Sequence, residues 1–231
     1  MIVAHGAPSS PGTPERAIRA LAGRVARDLP GWTVRGATLA APGALDAALA
    51  ALPDPMPLVF PFFMSDGWFV RNKLPQRLRE SRSGPFEMMR PLGLDPALHL
   101  LCLAQARQAA AGLPAEEATL LLAAHGSPSD PRPRRAVEQA ARFIAAANVF
   151  RDVRLGFIDE APFLAEAARI DGPAVCLPFF AARAGHVDID LPAALAAAAF
   201  RGPVLDAIGR HPGVDGIVAA ALMARAARRA A

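Results

Sequence analysis

The chain has 231 residues, of which 53% are hydrophobic and 20% charged, so it is not a disordered polypeptide and can bury a sizeable core. Its formal net charge of +4 comes from scattered residues, nearly all arginine, with Lys73 as the single lysine. No basic run is interleaved with aromatic residues, so no nucleic-acid partner is expected, although the charge suits an acidic ligand.

The cysteines and the N-terminal stretch bear on the expected location. Cys102 and Cys176 lie in the apolar runs HLLCLAQ and AVCLPFF, which predicts buried thiols in a reducing compartment and no metal-type cysteine pair. The stretch MIVAHGAPSS lacks the charged and long apolar segments of a secretory signal. The apolar stretches are Ala-rich and interrupted, too weak for a membrane span. We expect a soluble, cytoplasmic protein with no membrane partner.

Short apolar runs alternate with helical patterns along the chain. In the first half the predicted strands are IVAHG, TVRGATL, PLVFPFF and FEMMRPL, and the predicted helices cover 13–29, 43–51, 74–81 and 95–111. The second half repeats the strands as LLLAAHG, VRLGFI, AVCLPFF and PVLDAI and ends in a helix over 212–230. This order predicts an α/β fold with a four-stranded parallel sheet, flanked by helices, in each half.

The two halves are also similar in sequence. IVAHGAPSSP (2–11) matches LAAHGSPSDP (122–131), and PFFMSDGWFVRNKLP (61–75) matches PFFAARAGHVDIDLP (178–192). A conserved order of such blocks indicates a duplication. We therefore predict tandem repeats over 1–113 and 118–231, joined by the linker AGLPAEEA (111–118).

Polar residues follow the predicted strands of the second half. His125 ends the first strand, Asp159 and Glu160 follow the second, and His186 lies in the loop after the third. Ligands of parallel α/β units bind beyond the carboxyl ends of the strands, so these side chains are expected around one crevice. Two imidazoles and a carboxylate suit a divalent metal, or a base that takes protons from a ligand while a metal is delivered.

The blocks AHGSPSDP, GFIDEAP, LPFFAARAGHVDIDLP and IGRHP resemble those of the class II chelatases, the CbiX/SirB-type sirohydrochlorin cobalto- and ferrochelatases. The resemblance covers nearly the whole chain twice, as in the long two-domain form of the family. It implies two chelatase-like units and insertion of Co²⁺ or Fe²⁺, as a substrate, into sirohydrochlorin or a related tetrapyrrole in cobalamin or sirohaem synthesis. No tightly bound cofactor is implied.

The family pattern assigns roles to residues of the second half. It implies His125, His186 and Glu160 as catalytic residues, with the same three residues and Asp159 as metal ligands. The first half keeps His5 but has Leu39, Ala40 and Phe69 opposite the acids and the second histidine. We therefore expect one complete site, in the second half, with the first half as a wall of the pocket. Long members of the family often have the reverse arrangement.

Further residues are candidates for contacts with the macrocycle. The expected substrate-binding residues are His5, Trp68, Arg71, Lys73 and Arg183. The cations would face substrate carboxylates, or belong to the solvated surface; Trp68 and Phe69 would stack on the ring, or pack between the halves. His99, in an apolar helical run, is expected near the core.

Two other functions remain open at the level of sequence. The degenerate first half allows a non-catalytic carrier or regulator that binds a tetrapyrrole or metal, and a metal-binding chaperone that takes no macrocycle is the other alternative. The tandem halves predict a monomer with pseudo-twofold symmetry or a weak dimer.

Overall fold

The first part of the chain alternates strands and helices as predicted. The computed structural model describes residues 1–81, 84–114, 116–183 and 186–230, with the side chains of His186 and Ala230 also outside the description. Its first elements are β1 (Ile2–Ala4), α1 (Gly12–Arg27), β2 (Gly36–Thr38), α2 (Ala44–Ala50), β3 (Leu58–Pro61), a π-helix (Phe69–Lys73), α3 (Leu74–Ser81), β4 (Glu87–Met88), a 3₁₀ helix (Leu92–Leu94) and α4 (Pro96–Ala109).

The second part repeats most of this order. Its elements are β5 (Thr119–Ala124), α5 (Arg132–Ala145), β6 (Asp152–Phe157), α6 (Leu164–Ala167), β7 (Ala174–Pro178), a π-helix (His186–Asp190), α7 (Leu191–Ala197), a 3₁₀ helix (Ile208–Arg210) and α8 (Gly213–Ala230). Across the described residues, no helix has the length and apolar character needed to span a membrane.

The strands form two parallel sheets. The first has the order β2-β1-β3-β4, with Ile2 paired to Gly36 on one side and Phe60 on the other. The second has the order β6-β5-β7, with β5 fully buried at its centre. Parallel pairing places the carboxyl ends of neighbouring strands at one edge of each sheet, so the predicted α/β architecture is confirmed.

The predicted fourth strand of the second sheet is wrong. The segment PVLDAI runs beside β7 through only two hydrogen bonds, from Cys176 N–H to Pro203 O (2.8 Å) and from Leu205 N–H to Cys176 O (2.9 Å). Pro203 has no N–H to donate and Val204 is half exposed, so one face of the segment lacks burial. The chain then enters the 3₁₀ helix Ile208–Arg210. Among the described residues, this sheet therefore has three strands.

The compact units differ from the sequence repeats. Unit 1 comprises Met1–Leu92 and Pro212–Ala231, and unit 2 comprises Gly93–His211. Helix α4, which the repeat boundary 1–113 places in the first half, packs against α5 and β7 of unit 2. Helix α8, which belongs to the repeat 118–231, packs against α1 and β3 of unit 1. Each unit thus completes its helical layer with the last helix of the other repeat.

Specific contacts hold the exchanged helices in place. In unit 1, Arg24 Nε donates to Asp215 Oδ2 of α8 at 2.6 Å, and Arg225 of α8 forms an ion pair with Glu87 of β4. In unit 2, the buried face of α4 includes Cys102 and His99, whose ring centroid lies 5.8 Å from that of Phe143 in α5. The described residues of the predicted linker, 111–114 and 116–118, therefore lie inside unit 2, because α4 and β5 pack within that unit.

Both cysteines are buried within unit 2, as predicted. Burial disfavours the thiolate and raises the pKa of Cys102 and of Cys176 to about 12. We expect neither thiol to react with a water-soluble disulfide reagent at neutral pH in the native protein, and both to react in denaturant. Time-resolved thiol titration measures this directly. Rapid modification of either cysteine without denaturant would show that α4 or β7 opens readily.

His99 is expected to make unit 2 sensitive to acid. Its buried ring donates from Nε2 to Gly93 O at 3.0 Å, and its pKa is lowered because burial outweighs this bond and the charge of Asp95. The contribution of neutral His99 to the free energy of unfolding is therefore fully present above the unfolded-state pKa of about 6.5. It is lost as the pH falls below that value. Urea unfolding at about pH 7.5 and about pH 5.5 should show a larger loss of stability for wild type than for His99→Gln. Equal losses would contradict this role.

Candidate functional site

His125 lies at the carboxyl edge of the second sheet, directly after β5. Its side chain is 42% exposed, and Nδ1 lies 3.1 Å from Gly126 O. This acceptor and the Asp159 carboxylate favour the tautomer with the proton on Nδ1 and the lone pair on Nε2. Such an imidazole can bind a metal ion or accept a proton through Nε2.

Gly126 makes the turn after His125 possible. Its φ of +76° is a conformation that side chains rarely adopt, and an added Cβ would lie 2.7 Å from Glu160 Cγ. Gly6 has the same role in unit 1, with φ of +79° and a Cβ position 2.8 Å from Thr38 Cβ. In both repeats the His-Gly pair therefore forms a tight turn that packs closely against the end of the second strand and the residues after it.

Asp159 is the acid that lies beside His125. Its N–H donates to His125 O at 2.9 Å, and its Oδ2 lies 3.3 Å from His125 Nδ1. The Asp159 side chain is 41% exposed, so the pair is open to solvent and to a ligand. A carboxylate at Nδ1 holds the orientation of the ring and leaves Nε2 directed away from this pair.

Glu160, predicted as a catalytic residue and metal ligand, already accepts hydrogen bonds from other residues of the protein through both carboxylate oxygens. Its Oε1 accepts from Ser127 N–H at 2.9 Å, and its Oε2 accepts from Arg134 Nε at 2.9 Å and Nη2 at 2.8 Å. Only 15% of the side chain is exposed. The geometry therefore favours Asp159 over Glu160 as the acid of the site. The sequence could not separate these consecutive acids.

His186 begins the second π-helix, but its side chain lies outside the described residues. The first π-helix begins at Phe69, the residue opposite His186 in the repeat. In unit 1 the Phe69 ring meets that of His5 edge to face, with centroids 4.3 Å apart. The two repeats therefore use the same backbone turn at this position, with different side chains.

Unit 1 carries an aromatic cluster in place of an imidazole–carboxylate pair. His5 Nδ1 lies 2.7 Å from Gly6 O, as in the other repeat, and Trp68 packs on Phe69 with centroids 5.1 Å apart. Trp68 is 53% exposed. Stacking of Trp68 and Phe69 on a macrocycle stays a prediction, and so does their alternative packing between the halves.

Backbone hydrogen bonds correct the pairing of the two repeats after the second strand. The equivalent bonds to the His-Gly turns are Leu39 N–H to Ala4 O and Ala40 N–H to His5 O in unit 1, and Ile158 N–H to Ala124 O and Asp159 N–H to His125 O in unit 2. Ala40 thus corresponds to Asp159, and Ala41 to Glu160. The pairing with Leu39 and Ala40 was wrong by one residue, although unit 1 still lacks both acids.

The error arises because Gly36 and Gly156 occupy similar blocks of the two halves, RGATLAAP and LGFIDEAP, which suggests an equivalence in sequence. Gly36 pairs with Ile2 and is packed against Ile18 O of α1, 2.4 Å from its Cβ position. Gly156 pairs with Ala123 and is packed against Leu164 of α6. Because successive residues of a strand face opposite sides of the sheet, two glycines packed on different helices are not equivalent.

The predicted substrate-binding cations already have acidic partners in two of three cases. Arg71 Nε donates to Asp66 Oδ2 at 2.9 Å, whereas Lys73 is partly buried in the first π-helix. Arg183 Nε donates to Asp206 Oδ1 at 2.9 Å, and this hydrogen bond is the main cause that raises the pKa of Arg183. A substrate carboxylate would have to compete with these acids.

No group of three metal-ligating side chains occurs among the residues that the structure describes. The side chain of His186 is not among those described residues. A cavity of about 470 Å³ lies at the amino end of β7, and its lining segments 169–174 and 198–203 contain none of the candidate site residues. The pair of His125 and Asp159 lies instead at the open carboxyl edge of the sheet.

Comparison with known proteins identifies the family of the chain. The CbiX family model matches residues 119–228, which include His125, Asp159 and His186. The chain is 47% identical to CbiX, described as the terminal enzyme for biosynthesis of siroheme in denitrifying bacteria, over 96% of this chain and 97% of that one, with a TM-score of 0.87. No curated protein is significantly similar.

Two further solved structures share the fold. SirB from Bacillus subtilis with Fe³⁺ is 16% identical over 96% of this chain and 92% of its own, with a TM-score of 0.78. DR2241 from Deinococcus radiodurans, a multi-domain protein with structural similarity to chelatases, is 25% identical with a TM-score of 0.68, and the match covers 95% of this chain but 53% of DR2241. The near full-length identity to CbiX decides the assignment: the chain belongs to the CbiX family of class II chelatases, in its long two-unit form.

Proposed function

We propose that the protein inserts Fe²⁺ into sirohydrochlorin as the last step of siroheme formation. The observation that carries this proposal is the 47% identity, over nearly the whole of both chains, to a CbiX that is the terminal enzyme of siroheme biosynthesis. The imidazole–carboxylate pair at the carboxyl edge of unit 2 supports it. Because imidazole and carboxylate also accept Co²⁺, insertion of Co²⁺ in vitro is expected as well.

His125 is the central group of the proposed mechanism. A pyrrole N–H is a weak acid, so the ring nitrogens lose their protons only when a base is placed close to them as the metal enters. With Nδ1 directed at Gly126 O and Asp159, His125 offers Nε2 either to the incoming ion or to a pyrrole proton. Asp159 holds the ring in place through Nδ1 and carries a negative charge beside the imidazolium that forms.

His186 is proposed as the second imidazole of the site. The support comes from the repeat. Residue 186 is the first residue of a π-helix in unit 2, and Phe69 is the first residue of the corresponding π-helix in unit 1, where its ring contacts His5. Unit 1 has alanine at both acidic positions and phenylalanine at the position of the second histidine. One insertion site per chain, in unit 2, follows from these differences.

The substrate contacts follow from charge. The acidic side chains of sirohydrochlorin match the net charge of +4, and Arg183, Arg71 and Lys73 are proposed as their partners, with His5 and Trp68 as further contacts. The protein is proposed to need no tightly bound cofactor, since the metal is itself a substrate. Cytoplasmic location and a monomeric state remain part of the proposal.

The test is metal insertion by the purified protein. Sirohydrochlorin and Fe²⁺ are mixed without oxygen, and the change in the absorbance spectrum is followed with and without protein, then repeated with Co²⁺. Catalysed insertion above the spontaneous rate supports the proposal. Saturable binding of the ring with no faster insertion would contradict it and favour a tetrapyrrole carrier, for which the aromatic cluster of unit 1 is the supporting feature.

A further inference from the structure

We propose that Arg134 and Glu160 form a positioning pair that holds the His125 and Asp159 loops in register for metal binding, and that Glu160 is not itself a metal ligand. The inference rests on the proposed function, because the metal bound is the one to be inserted. Neither residue needs to touch the substrate. Their effect would pass through the two loops that they join.

The pair connects three segments of unit 2. Arg134, in the first turn of α5, donates to Glu160 Oε2 through Nε (2.9 Å) and Nη2 (2.8 Å). The same guanidinium bonds to Ala161 O and lies 4.6 Å from the centre of the Phe157 ring at the end of β6. Glu160 Oε1 accepts the N–H of Ser127, two residues after His125. The His125 loop, α5 and the Asp159 loop are thus joined through one carboxylate.

The packing of Glu160 against the turn after His125 explains how the pair of Arg134 and Glu160 can affect the positions of His125 and Asp159. Glu160 Cγ lies 2.7 Å from the place that a Cβ on Gly126 would occupy, so the carboxyl stem is packed directly against the turn. Asp159 precedes Glu160 and reaches His125 Nδ1 at 3.3 Å. The two consecutive acids therefore differ in their contacts. Glu160 binds Ser127 and Arg134 within the protein, and Asp159 contacts the imidazole of His125.

The pair is present only in the repeat that carries the acid of the site. Helices α1 and α5 begin at equivalent positions after Pro11 and Pro131, so Pro14 corresponds to Arg134. Ala41 corresponds to Glu160, as the backbone bonds to the His-Gly turns show. Unit 1 has therefore neither member of the pair.

Unit 1 joins its first helix to its second strand by a different contact. Glu15 Oε2 of α1 accepts from Thr38 N (2.7 Å) and Thr38 Oγ1 (2.8 Å), and Arg19 Nε donates to Glu15 Oε1 at 2.6 Å. The carboxylate of Glu15 thus connects helix α1 to strand β2 in unit 1, which has no counterpart of Arg134 or Glu160. This contrast makes Glu15 a matched control for a purely structural role.

The test compares Arg134→Gln, Arg134→Lys, Glu160→Gln and the control Glu15→Gln. Binding of Co²⁺ to the protein alone is measured by calorimetry and by the visible absorbance of the bound ion, and insertion kinetics are measured separately. We expect Arg134→Gln and Glu160→Gln each to weaken Co²⁺ affinity and lower kcat by about 10-fold or more, as for partners behind metal ligands, with the KM for the tetrapyrrole changed less than about 2-fold. Arg134→Lys should be intermediate, because an ammonium group cannot make the paired contact.

The control separates positioning from loss of folding. Glu15→Gln should lower the unfolding midpoint and leave Co²⁺ affinity and kcat per folded protein unchanged, whereas Arg134→Lys keeps the charge and should remain folded. Wild-type affinity and kcat in Arg134→Gln would overturn the proposal. So would loss of Co²⁺ binding in Glu160→Gln with full binding in Arg134→Gln, since Glu160 would then be a ligand.

The binding measurement also distinguishes this inference from the proposed function. If the wild type binds Co²⁺ but inserts no metal, the chelatase assignment fails, and the variants still decide the role of the pair through affinity. If the wild type binds no Co²⁺, both proposals fail.

Discussion

His125→Ala is expected to remove catalysed metal insertion, lowering kcat by about 100-fold or more, because the variant lacks the imidazole nitrogen that accepts a pyrrole proton or holds the ion. His5→Ala is the matched variant in the other repeat, where the same His-Gly turn lacks a neighbouring acid. It should keep kcat within about 3-fold of wild type and change at most the KM, because His5 is proposed only as a contact to the substrate. Insertion kinetics with Fe²⁺ and Co²⁺ measure both.

The two histidine variants also test which repeat carries the reaction. A small exogenous imidazole should restore part of the activity of His125→Ala if the role of His125 is proton transfer. If His5→Ala lost activity and His125→Ala kept it, the site would have to be assigned to unit 1. If both variants lost activity, His5 would have a direct role that the aromatic cluster does not explain.

Gly126→Ala is expected to destabilise unit 2 by about 2 kcal/mol or more and to reduce insertion as well. A left-handed conformation costs a residue with a Cβ roughly 1–2 kcal/mol, and the clash with Glu160 adds to this. Relief of the clash requires Glu160 to move, and Glu160 holds the loop that carries Asp159. Chemical unfolding and insertion kinetics measure the two effects separately.

Glycines elsewhere in the chain supply the controls for that variant. Gly6→Ala meets the same conformational penalty in unit 1 and should lose stability while insertion per folded protein remains near wild type. Gly23→Ala, within α1 and with nothing near its Cβ position, should be neutral or stabilising by up to about 1 kcal/mol. A fully stable and active Gly126→Ala protein would refute the account of this turn.

Much of the fold was predictable because hydrophobic runs and glycine or proline punctuation act locally. The strands before both His-Gly turns and helix α3 follow the predicted segments closely, and parallel pairing follows from their alternation. Parallel pairing in turn places residues that follow neighbouring strands at one edge, which is why His125 and Asp159 meet as expected.

Other features depend on contacts that no local pattern contains. The exchange of α4 and α8 between units depends on which sheet each apolar helix face packs against. The segment predicted as a fourth strand of the second sheet makes two backbone bonds to β7 and does not form a strand, because Pro203 lacks a donor and Val204 is half exposed. The match between Gly36 and Gly156 was misleading, because similar residues can face opposite sides of a sheet.

The choice between Asp159 and Glu160 shows where residue-level reasoning stopped. Both acids follow the same strand, and nothing in their order distinguishes the one that meets an imidazole from the one that meets an arginine. Arg134 was the missing information, and it is one of many scattered arginines. Only the packed loops show that Glu160 is already satisfied.

The central claim is a single metal site per chain, in unit 2, and the stoichiometry of Co²⁺ binding tests it most directly. Calorimetric titration of the metal-free protein should give about one ion per chain for wild type and for His5→Ala, and no measurable binding at that site for His125→Ala. Two equivalent ions per chain, or binding that is lost in His5→Ala and kept in His125→Ala, would contradict the account.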